Sequence, residues 1–301
     1  ARLDRARGDF PAALAALEAV LTTLAQRPRS AVLAVAGPLE GRAARLTNAN
    51  WTFDGPALGR ALGLEQGLLV NDFEAQAAAL AILQNGDVTT LVAGDPEAGG
   101  TRLVLGPGTG FGAAALVTRA GRSVVVPTEA GHIGVGPEDP TEEKIWPALA
   151  AGLPRVTVES LLSGDGLVRF HRAVADGSGL HEPDVSAADV TTLALDGDPA
   201  ALMAVICFWR LLARVAGDLA LVFKATGGVY LSGGIVPRLL PLAAKSALGS
   251  VFAGKPPMEE LAARFALHVV TAPDAAERGM AAIAAAPERF GLDDPARLWF
   301  G

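Results

Sequence analysis

Four glycines alternate with other residues in the run Gly-Pro-Gly-Thr-Gly-Phe-Gly, which lies between two apolar stretches. Glycine tolerates positive φ and lets another group approach the backbone closely. Successive N–H groups of such a segment can point into one concavity and bind a phosphate. The same residues would also suit a tight hairpin without a ligand. The candidate phosphate-binding residues are Gly106, Gly108, Thr109, Gly110 and Gly112.

Two better-known phosphate motifs are excluded here. No Lys-Ser or Lys-Thr pair follows the glycines, so the run is not a Walker-type P-loop. Gly108, Gly110 and Ala113 do match the looser dinucleotide pattern G-x-G-x-x-G/A. That pattern requires a helix directly after the glycines. The residues that follow, as far as Val126, instead predict a strand, a turn and a second strand.

Asn71 and Asp72 follow the predicted buried strand Leu68–Val70. Open α/β sheets place ligand-binding groups at the carboxyl ends of their strands. Asp72 could accept a proton from a substrate hydroxyl. It could equally do no more than cap a helix that begins at Phe73. The two interpretations differ in what a substitution removes, which is turnover in the first and stability in the second.

Three more polar side chains are candidates for ligand binding. Glu129 and His132 lie between a predicted strand and a glycine-rich turn, and Glu159 is near the start of a helix predicted behind Thr157. Two of them have a plainer alternative: His132 could be a hydrogen-bonded surface histidine, and Glu159 a solvated acid of a first helical turn. No His, Cys, Asp or Glu set has metal-ligand spacing, and no G-x-S-x-G motif occurs. Carboxylates with Asn and His suit a polyhydroxy ligand, because one carboxylate can accept from two hydroxyls.

Composition narrows the class of protein. The 301 residues are 50% apolar and 19% charged, which predicts a globular chain of about two domains. The net charge of −7, without a basic run, argues against nucleic acid or an anionic membrane as the main partner. No signal peptide or membrane span is recognisable, so we expect a cytoplasmic protein. The single cysteine, Cys207, excludes a disulfide framework and has the apolar neighbours of a buried thiol.

Strands alternate with helices along the chain, which predicts an α/β fold. The longest predicted helix runs from Asp198-Pro199 to about Lys224 and is stopped by Gly227 and Gly228. It is strongly apolar but carries three charged residues, so it is predicted to be a core helix. The other predicted elements are strands at 31–36, 68–70, 88–93, 229–231 and 266–270, and helices at 10–26, 73–84 and 275–285, with a short helix capped by Asp54.

Five segments, in this order, resemble the bacterial glucokinase family of the hexokinase–actin-like ATPase superfamily: Leu-Val-Asn-Asp-Phe-Glu-Ala, Gly-Pro-Gly-Thr-Gly-Phe-Gly, Pro-Thr-Glu-Ala-Gly-His, Glu-Ser-Leu-Leu-Ser-Gly and Leu-Ser-Gly-Gly-Ile-Val-Pro-Arg. The resemblance implies a two-domain α/β hexokinase/actin-like fold with the active site in the cleft between the domains. It places residues 1–82 plus 286–301 in a small domain and 83–285 in a large one. It also implies ATP-dependent phosphorylation of the glucose 6-hydroxyl, the entry step of glycolysis.

The resemblance assigns a role to each candidate. Asp72 matches the general base of the family, and Asn71, Glu129, His132 and Glu159 match residues that bind sugar hydroxyls. The run from Gly106 to Gly112 matches a phosphate loop, and Gly233 and Gly234 match a glycine pair beside the adenosine. Mg²⁺ is expected to arrive with ATP rather than in a protein cage. A homodimer is expected from the habit of the family. The cysteine-rich zinc motif of a related sugar-kinase group is absent after His132, so the zinc-free group is expected.

Two departures from the family pattern stand out. Thr128 and Ala130 flank Glu129 where many relatives carry glycine, which can tune the loop without removing the acid. Family members also open with a first phosphate loop of the form Asp-x-Gly-Gly-Thr, whereas this sequence begins at Ala1 and reaches the first family helix at once. Either the sequence is a fragment or some residues are left out of it. A protein truly without that loop is expected to turn over slowly, if at all.

Two alternative functions therefore remain open. One is a kinase for another hexose or an N-acyl amino sugar. The other is a sugar-binding regulator that keeps the scaffold and has lost catalysis. The intact Asp72 and the glycine loop favour an enzyme, and the missing first loop favours the regulator.

Overall fold

A computed structural model describes residues 10–45, 52–119, 121–177 and 185–300. The strands within these ranges are β1 Ser30–Val35, β2 Leu39–Glu40, β3 Ala43–Arg45, β4 Thr52–Asp54, β5 Gln66–Asn71, β6 Val88–Val92, β7 Arg102–Pro107, β8 Phe111–Arg119, β9 Arg122–Thr128, β10 Val229–Leu231, β11 Leu267–Val270 and β12 Trp299–Phe300.

The α-helices are α1 Phe10–Thr22, α2 Gly55–Leu62, α3 Asp72–Ala79, α4 Pro140–Ala150, α5 Val158–Leu161, α6 Gly164–Gly177, α7 Ala187–Asp196, α8 Pro199–Phe223, α9 Val236–Leu239, α10 Leu248–Ala253, α11 Glu259–Ala262 and α12 Ala275–Ala285. Short 3₁₀ segments lie at Asn85–Asp87, Ala130–His132, Leu240–Ser246 and Pro287–Phe290.

The strands form three sheets, with the orders β1-β5-β12, β2-β3-β4 and β6-β11-β10-β7-β8-β9. β1 and β5 are parallel, and β10 is parallel to both β7 and β11. β6 and β12 are antiparallel to their neighbours. Parallel strands need a crossover connection, usually helical, so this pairing accounts for the alternation of strands and helices in the sequence. The predicted α/β class is confirmed.

The described residues fall into two compact units. Unit 1 takes the described residues up to Leu83, Leu116–Pro127 and those from Pro273 onward, and unit 2 takes Gln84–Ala115 and those from Thr128 to Ala272. The units differ from the predicted domains, because Leu83 and the segments 116–127 and 273–285 lie with unit 1. The division into a small and a large functional domain stays a prediction.

In unit 1, several elements come close to one another at glycine residues. Helix α12 packs on α3 and β1, and a Cβ at Gly279 would overlap with the carbonyl oxygen of Ala75 in α3. Glycine is therefore required for these two helices to lie so near each other. The ring of Trp299 is fully buried and occupies the space where Gly55, Gly59 and Gly67 carry no side chain. The packing of this ring thereby holds strand β12 against β5.

Unit 2 packs around α8, which contacts α6, α7 and α10. This is the one helix of the described ranges that is long and apolar enough to cross a membrane, and 78% of its most apolar window is buried within the protein. It therefore has the burial of a core helix, as predicted. The helix ends at Phe223, close to the predicted end at about Lys224, where Lys224 adopts a left-handed conformation with φ 47°. The predicted helix 73–84 ends early, at Ala79.

Candidate active site

The glycine run forms a strand, a turn and a strand. β7 ends at Pro107, β8 begins at Phe111, and Gly112 is the second residue of β8. The Gly108 N–H donates to the Gly110 carbonyl at 2.7 Å and closes the turn. No helix follows the glycines, so the exclusion of the dinucleotide motif is confirmed.

The two glycine segments of unit 2 are in backbone contact. A Cβ at Gly106 would overlap with the carbonyl oxygen of Ser232, and a Cβ at Gly233 would overlap with that of Pro107. Gly233 also has φ +98°, a conformation that L side chains rarely adopt. Gly108 and Gly234 face open space at the position of a Cβ. The predicted phosphate loop and the predicted adenosine-binding glycine pair therefore lie side by side.

The backbone of Phe111 brings the candidate sugar-binding groups to the end of this loop. Its N–H donates to Glu159 Oε2 at 2.8 Å. A Cβ at Gly110 would overlap with the same oxygen, and a Cβ at Gly131 would meet the Phe111 carbonyl oxygen. The glycines thus allow the Glu159 carboxylate and the turn from Glu129 to His132 to reach the first residue of β8. Glu159 is half-buried rather than fully solvated.

Glu129 and His132 form an exposed pair. His132 ends a 3₁₀ turn, and its Nε2 lies 3.7 Å from Glu129 Oε2. The side chain of His132 is 57% exposed and that of Glu129 is 68% exposed, so both can contact a ligand. The turn is anchored by Thr128, whose hydroxyl donates to the Ala113 carbonyl at 2.8 Å. The departure from glycine at position 128 thus adds an anchor and leaves the acid in place.

The position of Glu159 is set by the start of α5. The helix begins directly behind Thr157, as predicted, and Thr157 is its N-cap. The Val158 N–H donates to the Ile133 carbonyl at 3.0 Å, which ties α5 to the residue after His132. The Gly164 N–H donates to the Gly108 carbonyl at 3.0 Å, which ties the next helix to the glycine loop. The loop, Glu159 and the Glu129–His132 pair are therefore parts of one backbone-bonded arrangement within unit 2.

Asn71 and Asp72 lie in unit 1, at the junction of β5 and α3. Asn71 is the helix cap: its Oδ1 accepts from the Phe73 N–H at 2.8 Å, and its Nδ2 donates to the Gly37 carbonyl at 3.2 Å. Asp72 is the first helical residue and accepts from the Phe73 N–H at 3.1 Å. The helix thus begins at Asp72 rather than at Phe73, and the capping role considered for Asp72 belongs mainly to Asn71.

Burial raises the pKa of the Asp72 carboxyl above its ordinary value of 3.8, although hydrogen bonds from the backbone of Phe73 and of Asp72 itself act in the opposite direction. A carboxylate in a less polar environment is a stronger base than one in water. This shift is in the direction that proton acceptance requires.

Sequence reasoning missed the buried partner of this turn. Glu74 is fully buried, and its Oε2 accepts from the Asn71 backbone N–H at 2.8 Å. Arg297 forms an ion pair with it at 2.8 Å. The spacing Asn71-x-x-Glu74 is that of a capping box and could have indicated the first contact. No local pattern indicates Arg297, which lies 223 residues away in the sequence.

A second missed pair supports the segment after His132. Arg214 of α8 donates to Glu142 Oε2 and to the Gly136 carbonyl, both at 2.8 Å. Its side chain is 6% exposed and that of Glu142 is 8% exposed. The pair therefore joins the core helix to the loop that leads away from the Glu129–His132 turn.

Replacing Arg214 by methionine is expected to lower the free energy of unfolding by about 3–5 kcal/mol, because the buried Glu142 carboxylate loses its cation. Urea unfolding measures the change. Arg264→Met is the matched control, because Arg264 pairs with Glu97 while both side chains are 50% exposed. Exposed pairs contribute about 0–1 kcal/mol. Equal losses in the two variants would contradict the structural role of Arg214.

Other chemistries find little support in the site. In residues 10–45, 52–119, 121–177 and 185–300, no group of three or more His, Cys, Asp and Glu side chains could bind a metal ion. Cys207 is buried, and burial raises the pKa of its thiol to about 11, with the nearby Glu142 and Asp139 acting in the same direction. The thiolate is the nucleophilic form, so this cysteine is poorly suited to nucleophilic chemistry near neutral pH.

A model of the glucokinase family matches residues 4–287 of this chain. The chain belongs to the glucokinase family. It is 41% identical over 294 residues to a glucokinase of Sinorhizobium fredii, with 97% of this chain and 87% of that protein covered. The family predicted from the five segments is confirmed.

Solved structures of glucokinases show the same fold. The crystal structure of a glucokinase from an Antarctic psychrotroph is 32% identical, has a TM-score of 0.80, and covers 89% of this chain and 84% of its own. A ROK-family glucokinase from Streptomyces griseus, crystallised with glucose and AMPPNP, has a TM-score of 0.65 at 19% identity and covers 93% of this chain and 89% of its own. The predicted hexokinase/actin-like fold class is confirmed.

Proposed function

We propose that this member of the glucokinase family transfers the γ-phosphoryl group of ATP to the 6-hydroxyl of glucose and releases ADP, glucose 6-phosphate and a proton. The single observation that carries the proposal is the arrangement around Phe111, where the Glu159 carboxylate and the Glu129–His132 turn meet the end of the glycine loop. Similarity to proteins named glucokinase, at 41% identity over nearly the whole chain, supports glucose as the sugar.

The sugar is bound by hydrogen-bond acceptors and donors of the candidate residues in this proposal. Glu159 gives one carboxylate oxygen to the Phe111 N–H, and we assign the other to a sugar hydroxyl. Glu129 and His132 are exposed and supply further hydrogen bonds. We also assign the amide group of Asn71 to the sugar. Such paired donors and acceptors discriminate strongly among sugars, because a wrong ligand leaves polar groups of the protein unpaired.

The nucleotide is assigned to the two glycine segments that touch. We assign the N–H groups of Thr109 and Gly110 to its phosphates, and Gly233 and Gly234 to the nucleoside side. The residues fit this ligand, because Gly108 and Gly234 leave open space where a side chain would otherwise stand. ATP supplies the phosphoryl group, and Mg²⁺ is assigned to the nucleotide phosphates, since Mg²⁺ in kinases is usually held largely by substrate phosphates and water.

Asp72 is the general base in this scheme. It receives the proton of the 6-hydroxyl as that oxygen attacks the γ-phosphorus. Its burial raises its pKa and so strengthens it as a proton acceptor. We place the reaction in the cytoplasm, where ATP is abundant. The homodimer remains a prediction.

Replacing Glu159 by alanine is expected to raise the KM for glucose by about 10- to 100-fold, since each lost hydrogen bond to a charged group is worth about 1.5–3 kcal/mol. The KM for ATP should change much less. Initial rates with glucose and Mg-ATP measure both constants, and Glu143→Ala, a change at an exposed acid of α4, is the control.

The same assay with N-acetylglucosamine tests the sugar. Glucose is expected to have the higher kcat/KM. A preference for the 2-acetamido sugar, or a Glu159→Ala variant with an unchanged glucose KM, would contradict the proposed sugar site.

A further inference from the structure

The segment Asp294–Trp299, called here the C-terminal strap, lies beyond residue 287, where the match to the family model ends. Trp299 pairs with β5 at Gly67, and its buried ring fills the space over three glycines of unit 1. Two bonds fix the turn before it: the Ala296 N–H donates to Asp294 Oδ1 at 2.8 Å, and the Arg297 N–H donates to the Asp294 carbonyl at 2.9 Å. The backbone of Arg297 therefore has a defined position.

The side chain of Arg297 reaches both sides of the β5–α3 junction. Its Nη1 donates to Glu74 Oε1 and its Nη2 to Glu74 Oε2, each at 2.8 Å. The same Nη2 donates to the Leu69 carbonyl at 3.1 Å. A planar guanidinium can make such a bidentate contact, whereas a lysine ammonium cannot. Leu69 precedes the junction and Glu74 follows it.

Glu74 transmits this contact to the residues in between. Its side chain is 0% exposed, and Oε2 also accepts from the backbone N–H of Asn71 at 2.8 Å. A buried carboxylate keeps its place only when a cation and hydrogen-bond donors surround it. Here Arg297 is the cation, so the strap controls the oxygen that binds the helix cap. Asp72 is the next residue after that cap.

The strap is itself anchored to a further element of unit 1. Arg42, in the turn between β2 and β3, donates from its Nη2 to the Pro295 carbonyl at 2.8 Å. The strap is thus bound at Pro295, at Arg297 and at Trp299. Three separate attachments are more than is needed to cover an apolar surface, which Trp299 alone does.

We propose that Arg297 is a positioning residue for the kinase reaction: through Glu74 it fixes the Asn71–Asp72 junction and so the orientation of the carboxylate that accepts the proton. The inference rests on the proposed function, in which Asp72 is the base. Arg297 touches neither substrate in this account. It acts on turnover by holding the base at the distance and angle that proton transfer needs.

The test compares Arg297→Lys with Arg289→Lys in the full-length protein. Arg289 is an exposed arginine nearby, with its guanidinium carbon 5.7 Å from the centre of the Phe290 ring. We expect Arg297→Lys to lower kcat by about 10- to 100-fold, as a small misplacement of a reacting group does. The fall in kcat should exceed any rise in the glucose KM, because Glu159, Glu129 and His132 still bind the sugar. The variant should remain folded, and Arg289→Lys should keep full activity.

Glu74→Gln is a second test of the same contact. The amide nitrogen of glutamine is a donor and cannot accept a hydrogen bond from Arg297, so one of the two bonds is lost. This variant should lower kcat in the same way, and the double variant should lose less than the product of the two single losses, as coupled residues do. Millimolar guanidinium should restore part of the turnover of Arg297→Ala. Hydrogen exchange of the Asn71 and Asp72 amides should become faster in Arg297→Lys.

Three results would overturn the proposal: unchanged kcat in Arg297→Lys, independent losses in the double variant, or loss of folding in Arg297→Lys, which would make the residue purely structural. Failure of the proposed function looks different, because then the wild-type protein itself forms no glucose 6-phosphate. The amide exchange at Asn71 and Asp72 still decides in that case whether Arg297 holds the junction.

Discussion

Replacing Asp72 by asparagine is expected to lower kcat by about 10²–10⁴-fold, the usual contribution of a positioned general base. Asparagine has nearly the same shape and can still accept a hydrogen bond from Phe73, but it cannot take a proton. Asn71 continues to cap α3 in the variant, since the capping contact at 2.8 Å does not involve Asp72. Glucose binding, measured by calorimetry, should therefore be retained while turnover is lost.

The stability of the same variant separates the two interpretations of Asp72. Burial raises the pKa of this carboxyl, so the folded state disfavours its ionised form. Stability from the protonated form is fully present below the ordinary pKa of 3.8 and is lost as pH rises through the higher folded pKa. At neutral pH the charge thus destabilises the fold, and Asp72→Asn should melt at the same or a higher temperature.

The pH dependence of the wild-type protein follows from the same shift. Turnover requires the ionised carboxylate, so kcat should fall on the acid side with an apparent pKa above 3.8. A clearly lower melting temperature in Asp72→Asn, with activity reduced only in proportion to the unfolded fraction, would instead show that Asp72 serves mainly as a helix cap.

Substituting Gly106 by alanine should destabilise unit 2 and abolish turnover, whereas Gly108→Ala should affect nucleotide binding alone. A Cβ at Gly106 would overlap with the carbonyl oxygen of Ser232, and neither backbone can move without breaking β7 or β10. Overpacking of this kind typically costs about 1–3 kcal/mol and sometimes more. At Gly108 a Cβ meets no protein atom within 4 Å.

The melting temperature and the KM for ATP distinguish the Gly106→Ala and Gly108→Ala variants. Gly108→Ala should keep the melting temperature and the glucose KM of the wild type but raise the ATP KM, because the new methyl group would occupy the space assigned to a phosphate. Gly136→Ala serves as the control, since its Cβ also meets nothing within 4 Å. An unchanged ATP KM in Gly108→Ala would mean that the loop is a hairpin without a phosphate.

Local patterns were enough to predict much of the fold. The alternation of apolar runs and polar turns predicted the strands at Val229–Leu231 and Leu267–Val270 and the helix at Ala275–Ala285. Thr157 and Asp54 were recognisable as helix caps, because a cap depends only on residues within three positions. The two strands after the glycine run were also predictable, because they too follow from residues that are close together in the sequence.

Long-range contacts could not be predicted in this way. Nothing near Gly106 or Gly233 indicates that their backbones touch, since the contact depends on how β7 and β10 pair. Arg297 and Glu74 are 223 positions apart, and either one alone looks like a surface charge in the sequence.

The most direct test of the account is product formation by the full-length protein from glucose and Mg-ATP, followed by ³¹P NMR. We expect one glucose 6-phosphate and one ADP for each ATP consumed, with product formation about 10²–10⁴-fold slower in the Asp72→Asn variant under the same conditions. If the folded wild-type protein showed no turnover and no saturable glucose binding, the assignment of this chain as a glucose kinase would be contradicted.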